Sequence, residues 1–148
     1  GLRMTFAGKI NVAVDGKPVD FGQTYFYRNC MFSNVPNMAG VFGYLNASWT
    51  LRVDIIAEYL TRLFKQMDAI GAVAATPAMA AGEEPEVDDI FDFSSGYIQR
   101  GKHLMPRNAH ALPWRLNQEY RKDRVDMRQA PIDDGVLIFT RAKELAGA

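Results

Sequence analysis

The spacing of apolar positions divides the chain into a β-rich first third, one long helix and a more irregular remainder. Ile10, Val12 and Val14 alternate with Asn11 and Ala13, as in a half-buried strand. Asp15-Gly16 follows, a pair that accepts the positive φ angles of a type I′ turn, so a hairpin is expected with Val19 and Phe21 on the return arm. Pro18 has no N–H to give to a ladder, which places that arm at an edge. Tyr25-Phe26-Tyr27 is a second strand candidate. After the turn signal Val35-Pro36-Asn37, residues Met38 to Tyr44 run apolar without interruption, the pattern of a strand buried on both faces as in a parallel sheet. Its small residues Ala39, Gly40 and Gly43 leave room for another backbone or a ligand.

Val53, Ile56, Leu60, Leu63, Phe64 and Met67 then recur at steps of three and four, with Ile55 and Tyr59 widening the stripe. This predicts a broadly buried helix. Asn46 or Ser48 can cap its start, and Gly71 suits the left-handed position after its last turn. From Ser48 to Ile70 such a helix is roughly 33 Å long at 1.5 Å per residue. Gly71 to Asp89 is rich in Ala, Gly, Pro and Glu and reads as a linker or surface loop. Beyond it, Ser94 or Ser95 can start a short helix through Tyr97, Ile98 and His103 that ends before Pro106, and Pro113-Trp114 is an anchor onto the core. Asn117 can cap a helix through Tyr120 and Val125 to Met127. Asp133-Asp134-Gly135 turns into a last strand, Val136 to Thr140. The resulting division is 1–70 as strands plus long helix, 71–91 as a flexible acidic linker, and 92–148 as a mostly helical tail with a final strand. The fold class is α+β.

Composition narrows the function. Seventeen basic and 17 acidic residues cancel, so the chain lacks the net positive field that collects nucleic-acid phosphates. Charge is uneven locally: an acidic run between Glu83 and Asp92 precedes a basic stretch between Arg100 and Arg124, two solvated surfaces that can attract each other. No apolar run approaches the roughly 18 residues of a membrane span. Cys30 is the single cysteine, which excludes an intrachain disulfide and points to a cytoplasmic protein; with only His103 and His110 beside it, no metal-ligand cluster is expected. The start, Gly1-Leu2-Arg3-Met4-Thr5, lacks both a signal pattern and an initiating Met, so the natural start is expected elsewhere.

The stretch with chemical promise is Met38 to Ile56: apolar segment, short polar loop, long helix. Helix N-termini leave backbone N–H groups unpaired, and with the macrodipole these favour an anion or an electron-rich oxygen. The loop Tyr44-Leu45-Asn46-Ala47-Ser48, approached through Gly43, is thus a candidate cofactor seat.

The run Val35-Pro36-Asn37-Met38-Ala39-Gly40-Val41-Phe42-Gly43-Tyr44-Leu45-Asn46-Ala47-Ser48-Trp49 resembles a signature of the Baeyer–Villiger-type, class B flavin-containing monooxygenases. Two further stretches are similar to that family in the same order: Asp92-Phe93-Ser94-Ser95-Gly96-Tyr97-Ile98-Gln99-Arg100, and Pro113-Trp114-Arg115-Leu116-Asn117-Gln118. The hairpin Val14 to Asp20 is similar too. The resemblance implies an enzyme with FAD and NADPH, in which a discontinuous FAD domain takes its distal half from a C-terminal portion like this one. It further implies that one oxygen atom of O2 is inserted into a small-molecule ketone, aldehyde or sulfur substrate. Gly43, Tyr44, Asn46, Ala47, Ser48 and Trp49 are then cofactor-binding candidates, with the Asn46 to Ser48 amides near the pyrimidine end of the flavin. Leu45 stands where the family often has threonine, so no cofactor bond is assigned to that side chain. No Gly-x-Gly-x-x-Gly occurs and the family's histidine-containing fingerprint is absent. No catalytic residue is therefore assigned, and the chain is expected to be inactive without the missing N-terminal dinucleotide-binding regions. The alternative is a stand-alone non-catalytic binding module, or an oligomerisation module that pairs through exposed apolar surface.

Overall fold

Local signals set the first elements of the computed structural model, which describes residues 4–91 and 96–145. Strands β1 (Ala13–Val14) and β2 (Lys17–Pro18) pair antiparallel, with Ala13 opposite Pro18. Asp15 (φ 50°) and Gly16 (φ 74°) both take positive φ, as a type I′ turn requires. The second hairpin, β3 (Phe26–Tyr27) and β4 (Met31–Phe32), turns the same way through Arg28 (φ 43°) and Asn29 (φ 64°). Asparagine tolerates this region through its short polar side chain, and Asn29 is held there by buried hydrogen bonds described below.

Helix α1 (Trp49–Ile70) starts after Ser48 and closes on Gly71 in the left-handed conformation (φ 66°), as its sequence predicts. Its buried face differs from the predicted stripe. Ile55, Ile56, Tyr59 and Leu63 are buried, together with the charged Arg52, whereas Val53 and Phe64 are 44% and 59% exposed. The helix therefore presents a second apolar strip to its surroundings, continued by Trp49 at its start.

Two expectations are corrected. Residues 38–44 are extended but do not form a doubly buried strand: Ala39 makes a single antiparallel bridge to Met31, Gly40 N–H donates to the Cys30 carbonyl (2.8 Å), and Val41 lies 42% exposed. The described residues form no parallel sheet; their three sheets are two-stranded and antiparallel. Secondly, residues 72–77 of the supposed linker are strand β5 (Ala72–Pro77), paired antiparallel with β6 (Leu137–Arg141). Its small residues carry no alternation of bulk, so the strand is specified by its partner, whose paired residues lie 60 to 69 positions away. The acidic stretch after β5 is also tied down. Asp88 N–H donates to Asn108 O (2.7 Å), Val87 bridges Ala109, and Asp89 pairs with Lys102. The acidic run thus lies against the basic one, where opposite charges meet.

The remaining helices are α2 (Gly96–Gly101), followed by a 3-10 turn to Leu104, α3 (Tyr120–Gln129) and α4 (Ala142–Leu145). The expected cap at Asn117 is displaced. Glu119 precedes α3, while Asn117 Oδ1 accepts from the Glu119 amide at 3.2 Å. Residues 92–95, including the proposed Ser94 or Ser95 helix start, lie outside the described residues. α3 packs across α1, where Arg62 donates to the Met127 and Ala130 carbonyls at the α3 C-terminus, the end of the dipole that favours a cation. Two apolar clusters result. One joins α1, β3, β4, β5 and Trp114; the other is an aromatic group around Phe21, Phe26, Phe32 and Phe91. Among the described residues no helix is long and apolar enough to cross a membrane.

Candidate functional site

The loop between the extended segment and α1 has a buried root and an exposed crest. Gly43 and Tyr44 are buried, while Leu45, Asn46, Ala47, Ser48 and Trp49 face outward. Gly43 is required by close approach: a Cβ there would lie 2.1 Å from the Trp49 indole, which packs across its backbone. Trp49 also stacks at a tilt on Phe42, with ring centroids 5.4 Å apart, yet remains 53% exposed. Ser48 takes the extended conformation of an N-cap (φ −62°, ψ 134°), but its side chain makes no capping bond; its Oγ instead meets Thr50 Oγ1 at 2.8 Å. The first turn of α1 has no acidic residue. An uncapped N-terminus with no acidic residue in its first turn retains a preference for negative charge.

Beneath the loop lies a buried polar cluster that sequence reasoning did not assign to the site. The Tyr44 hydroxyl donates to Asp123 Oδ2, and Asn29 Nδ2 donates to Asp123 Oδ1 at 2.5 Å. Arg52, in the first turn of α1, places its guanidinium 3.9 Å from the centre of the Tyr44 ring and donates to Asn29 Oδ1 (3.1 Å) and to the Asn117 carbonyl. Its Nε lies 3.6 Å from Asp123 Oδ2, an ion pair too long to be a hydrogen bond, and both side chains are fully buried. Burial pushes the Asp123 carboxyl above the usual carboxylate range and the Arg52 guanidinium below its own, while the charge of each partner opposes that drift. Burial and the bond to Asp123 likewise raise the Tyr44 phenol. One signal was legible: an arginine three and four positions before Ile55 and Ile56 falls on the buried face of the helix, where a lone charge needs a partner.

A second tie runs beside the first. Leu45 N–H donates to Gln118 Oε1 (2.9 Å), and Asn117 N–H to Asn29 Oδ1 (2.6 Å). Asn46 lines a polar cavity of about 420 Å³ with Asn117, Gln118, Lys122 and the acidic residues Glu119 and Asp126. The structure thus brings all six predicted residues, Gly43, Tyr44, Asn46, Ala47, Ser48 and Trp49, onto one loop and helix start. The crest is open to a ligand; Tyr44 points inward and supports the loop. Among the described residues no group of three or more His, Cys, Asp or Glu side chains could hold a metal ion.

No protein-family model and no solved structure matches the chain. Curated proteins do. A protein of Acinetobacter sp named as a probable FAD-binding monooxygenase, AlmA, is 41% identical over 145 residues, covering 97% of this chain and 29% of its own length. The FAD-containing monooxygenase EthA of Mycobacterium tuberculosis is 37% identical over 144 residues, 95% of this chain and 29% of its own. The enzyme of the same name from Mycolicibacterium smegmatis is 35% identical over the full 148 residues and 30% of its own length. The chain spans under a third of the curated relatives it matches. Over nearly all of its own length, the chain is a homologue of part of the FAD-containing monooxygenases.

Proposed function

We propose that this chain is the distal, C-terminal portion of a class B flavin-dependent monooxygenase and that its Gly43 to Trp49 loop faces the flavin. The single observation that carries the reading is the crest of exposed residues Asn46, Ala47 and Ser48, leading into the start of a 22-residue helix that has no side-chain cap and no acidic residue in its first turn. Residues 1–70 supply this flavin-facing part, and 92–148 support it. The donor set suits the electron-rich pyrimidine edge of a flavin, and the FAD-named relatives favour that ligand over a simple anion. FAD supplies the oxygen chemistry when bound, with NADPH as reductant and a ketone, aldehyde or sulfur compound as the oxygen acceptor. What this chain contributes is positional. Backbone N–H groups of 46–48 and the α1 N-terminus aim fixed dipoles at the place where negative charge develops, and Trp49 with Phe42 shields the site from water. No group on the loop is assigned a proton transfer, and the dinucleotide phosphates are left to the remainder of the protein.

The exposed strip of α1, with Trp49, Val53 and Phe64, is the face against which that remainder packs, since apolar area of this kind is covered in a stable protein. The buried free thiol of Cys30 suits a reducing, cytoplasmic setting. Expression of the full-length protein tests the reading. It should purify with FAD bound and oxidise NADPH with oxygen uptake in the presence of a ketone or sulfide. A protein that holds no FAD, or holds it without oxidising NADPH, contradicts it.

A further inference from the structure

Two residues on one short segment, Gln118 and Asp123, bond to two consecutive residues of the loop, Leu45 and Tyr44. They arrive from different directions: Gln118 meets the Leu45 amide at the outer side, while Asp123 meets the Tyr44 hydroxyl in the interior. Arg52 closes the arrangement from α1 by lying against the Tyr44 ring, and its other contacts run to Asn29 and to the Asn117 carbonyl of the same segment. The loop is therefore held at its root by the segment behind it and by the helix it leads into.

Stability alone does not account for this construction. Replacing a buried ion pair by well-packed apolar groups is commonly neutral or stabilising, because desolvation offsets the attraction. Here the pair is completely buried, its Arg52–Asp123 contact is not even a hydrogen bond, and Arg52 Nε has no hydrogen-bond partner. What a directional network supplies is orientation. Each bond fixes an angle as well as a distance, so a loop held by several of them has one conformation. For amides that must point at a ligand, that is the property needed.

We propose that the Asn117 to Asp123 segment is a positioning clamp for the flavin-facing loop, in which Asp123 acting through Tyr44, and Gln118 acting through the Leu45 amide, set the direction of the Asn46 to Ser48 amides. Asp123 and Gln118 are positioning residues, since neither is placed against the ligand. The inference rests on the flavin-facing reading of the loop and deepens it.

The test uses the full-length holoenzyme and three variants. Tyr44→Phe keeps the ring under Arg52 but removes the hydroxyl that reaches Asp123. Gln118→Ala frees the Leu45 amide from a half-buried position outside the core, so it remains informative if Tyr44→Phe fails to fold. Ala47→Glu puts a carboxylate on the exposed crest and tests the flavin-facing reading itself. FAD dissociation constants and the visible flavin spectrum are read well below the melting temperature, where loss of stability alone moves neither. The clamp predicts that Gln118→Ala and Tyr44→Phe each weaken FAD binding by about tenfold and shift the flavin band, and that Ala47→Glu weakens binding at least as much. Normal FAD binding and an unshifted spectrum in folded Gln118→Ala, with binding lost in Ala47→Glu, would overturn the clamp and leave the flavin-facing loop standing. Unchanged binding in Ala47→Glu would remove that reading and the clamp with it.

Discussion

Arg28, on the turn between β3 and β4, donates through Nε (3.1 Å) and Nη2 (2.9 Å) to Asp134 Oδ2, 106 residues away. Tyr27 donates to the same oxygen at 2.7 Å, and Asp134 Oδ1 accepts from the amides of Val136 and Leu137. Asp134 thereby starts β6 and locks it to the second hairpin. Burial alone would raise its carboxyl, but the bonds from Leu137, Tyr27, Arg28 and Val136 together hold it below the usual carboxylate range. A depressed folded value stabilises the fold fully above the ordinary aspartate value of about 4, and that contribution is lost as pH falls through the folded value. Asp134→Asn should cost about 1–3 kcal/mol at neutral pH and flatten the acid limb of the stability curve. Urea unfolding at several pH values between neutrality and strong acid checks this. An unchanged acid limb would show that Asp134 does not carry that dependence.

Removing one partner of the buried pair should be severe. Asp123→Ala strands Arg52 in the interior without its counter-charge and removes the acceptor for Tyr44 and Asn29. A loss of about 3–5 kcal/mol is expected, against a smaller loss when Arg52 and Asp123 are replaced together by apolar residues. Equilibrium unfolding of the single and double variants distinguishes the two. A loss in the double variant equal to the sum of the two single losses would mean the pair is not coupled.

Gly43→Ala should act on the loop through one neighbour. The added Cβ would meet the base of the Trp49 indole and must turn it off the Gly43 backbone and away from Phe42. We expect Trp49 emission to shift to the red, read with Trp114 replaced by Phe in both backgrounds, and a stability loss of about 1–3 kcal/mol from overpacking. Unaltered emission would place the indole elsewhere.

Cys30 should be inert in the native state. Its thiol is completely buried, and burial, reinforced by the Asp123 charge, pushes its pKa up to about 12. Thiolate is the reactive form, so alkylation at neutral pH should be slow when folded and fast in denaturant. Rapid labelling of the folded protein would mean the second hairpin opens readily.

What the sequence makes legible here is whatever is encoded locally. Asp15-Gly16 specifies its turn by itself, Gly71 ends α1 by itself, and Asp133-Asp134-Gly135 leads into β6 close to where the strand begins. The loop residues could be named because a polar interruption between an apolar run and a helix is visible in one dimension. Long-range specification was not visible. Ala72 to Pro77 has the composition of a linker and becomes a strand because Leu137 to Arg141 lies beside it. Met38 to Tyr44 has the composition of a buried strand, yet one side is left open at Val41. Asp123 looks like any charged residue of a polar helix, and its role exists only because Tyr44, Asn29 and Arg52 converge on it.

If the Gly43 to Trp49 loop faces the flavin in the full-length protein, amide hydrogen exchange over residues 43–52 reports it. With FAD bound, the amides of Asn46, Ala47, Ser48 and Trp49 should exchange at least about tenfold more slowly than in the FAD-free protein, while those of the β5–β6 pair change little. Equal exchange across this loop in the two states, with FAD demonstrably bound, would mean that the loop does not face the flavin.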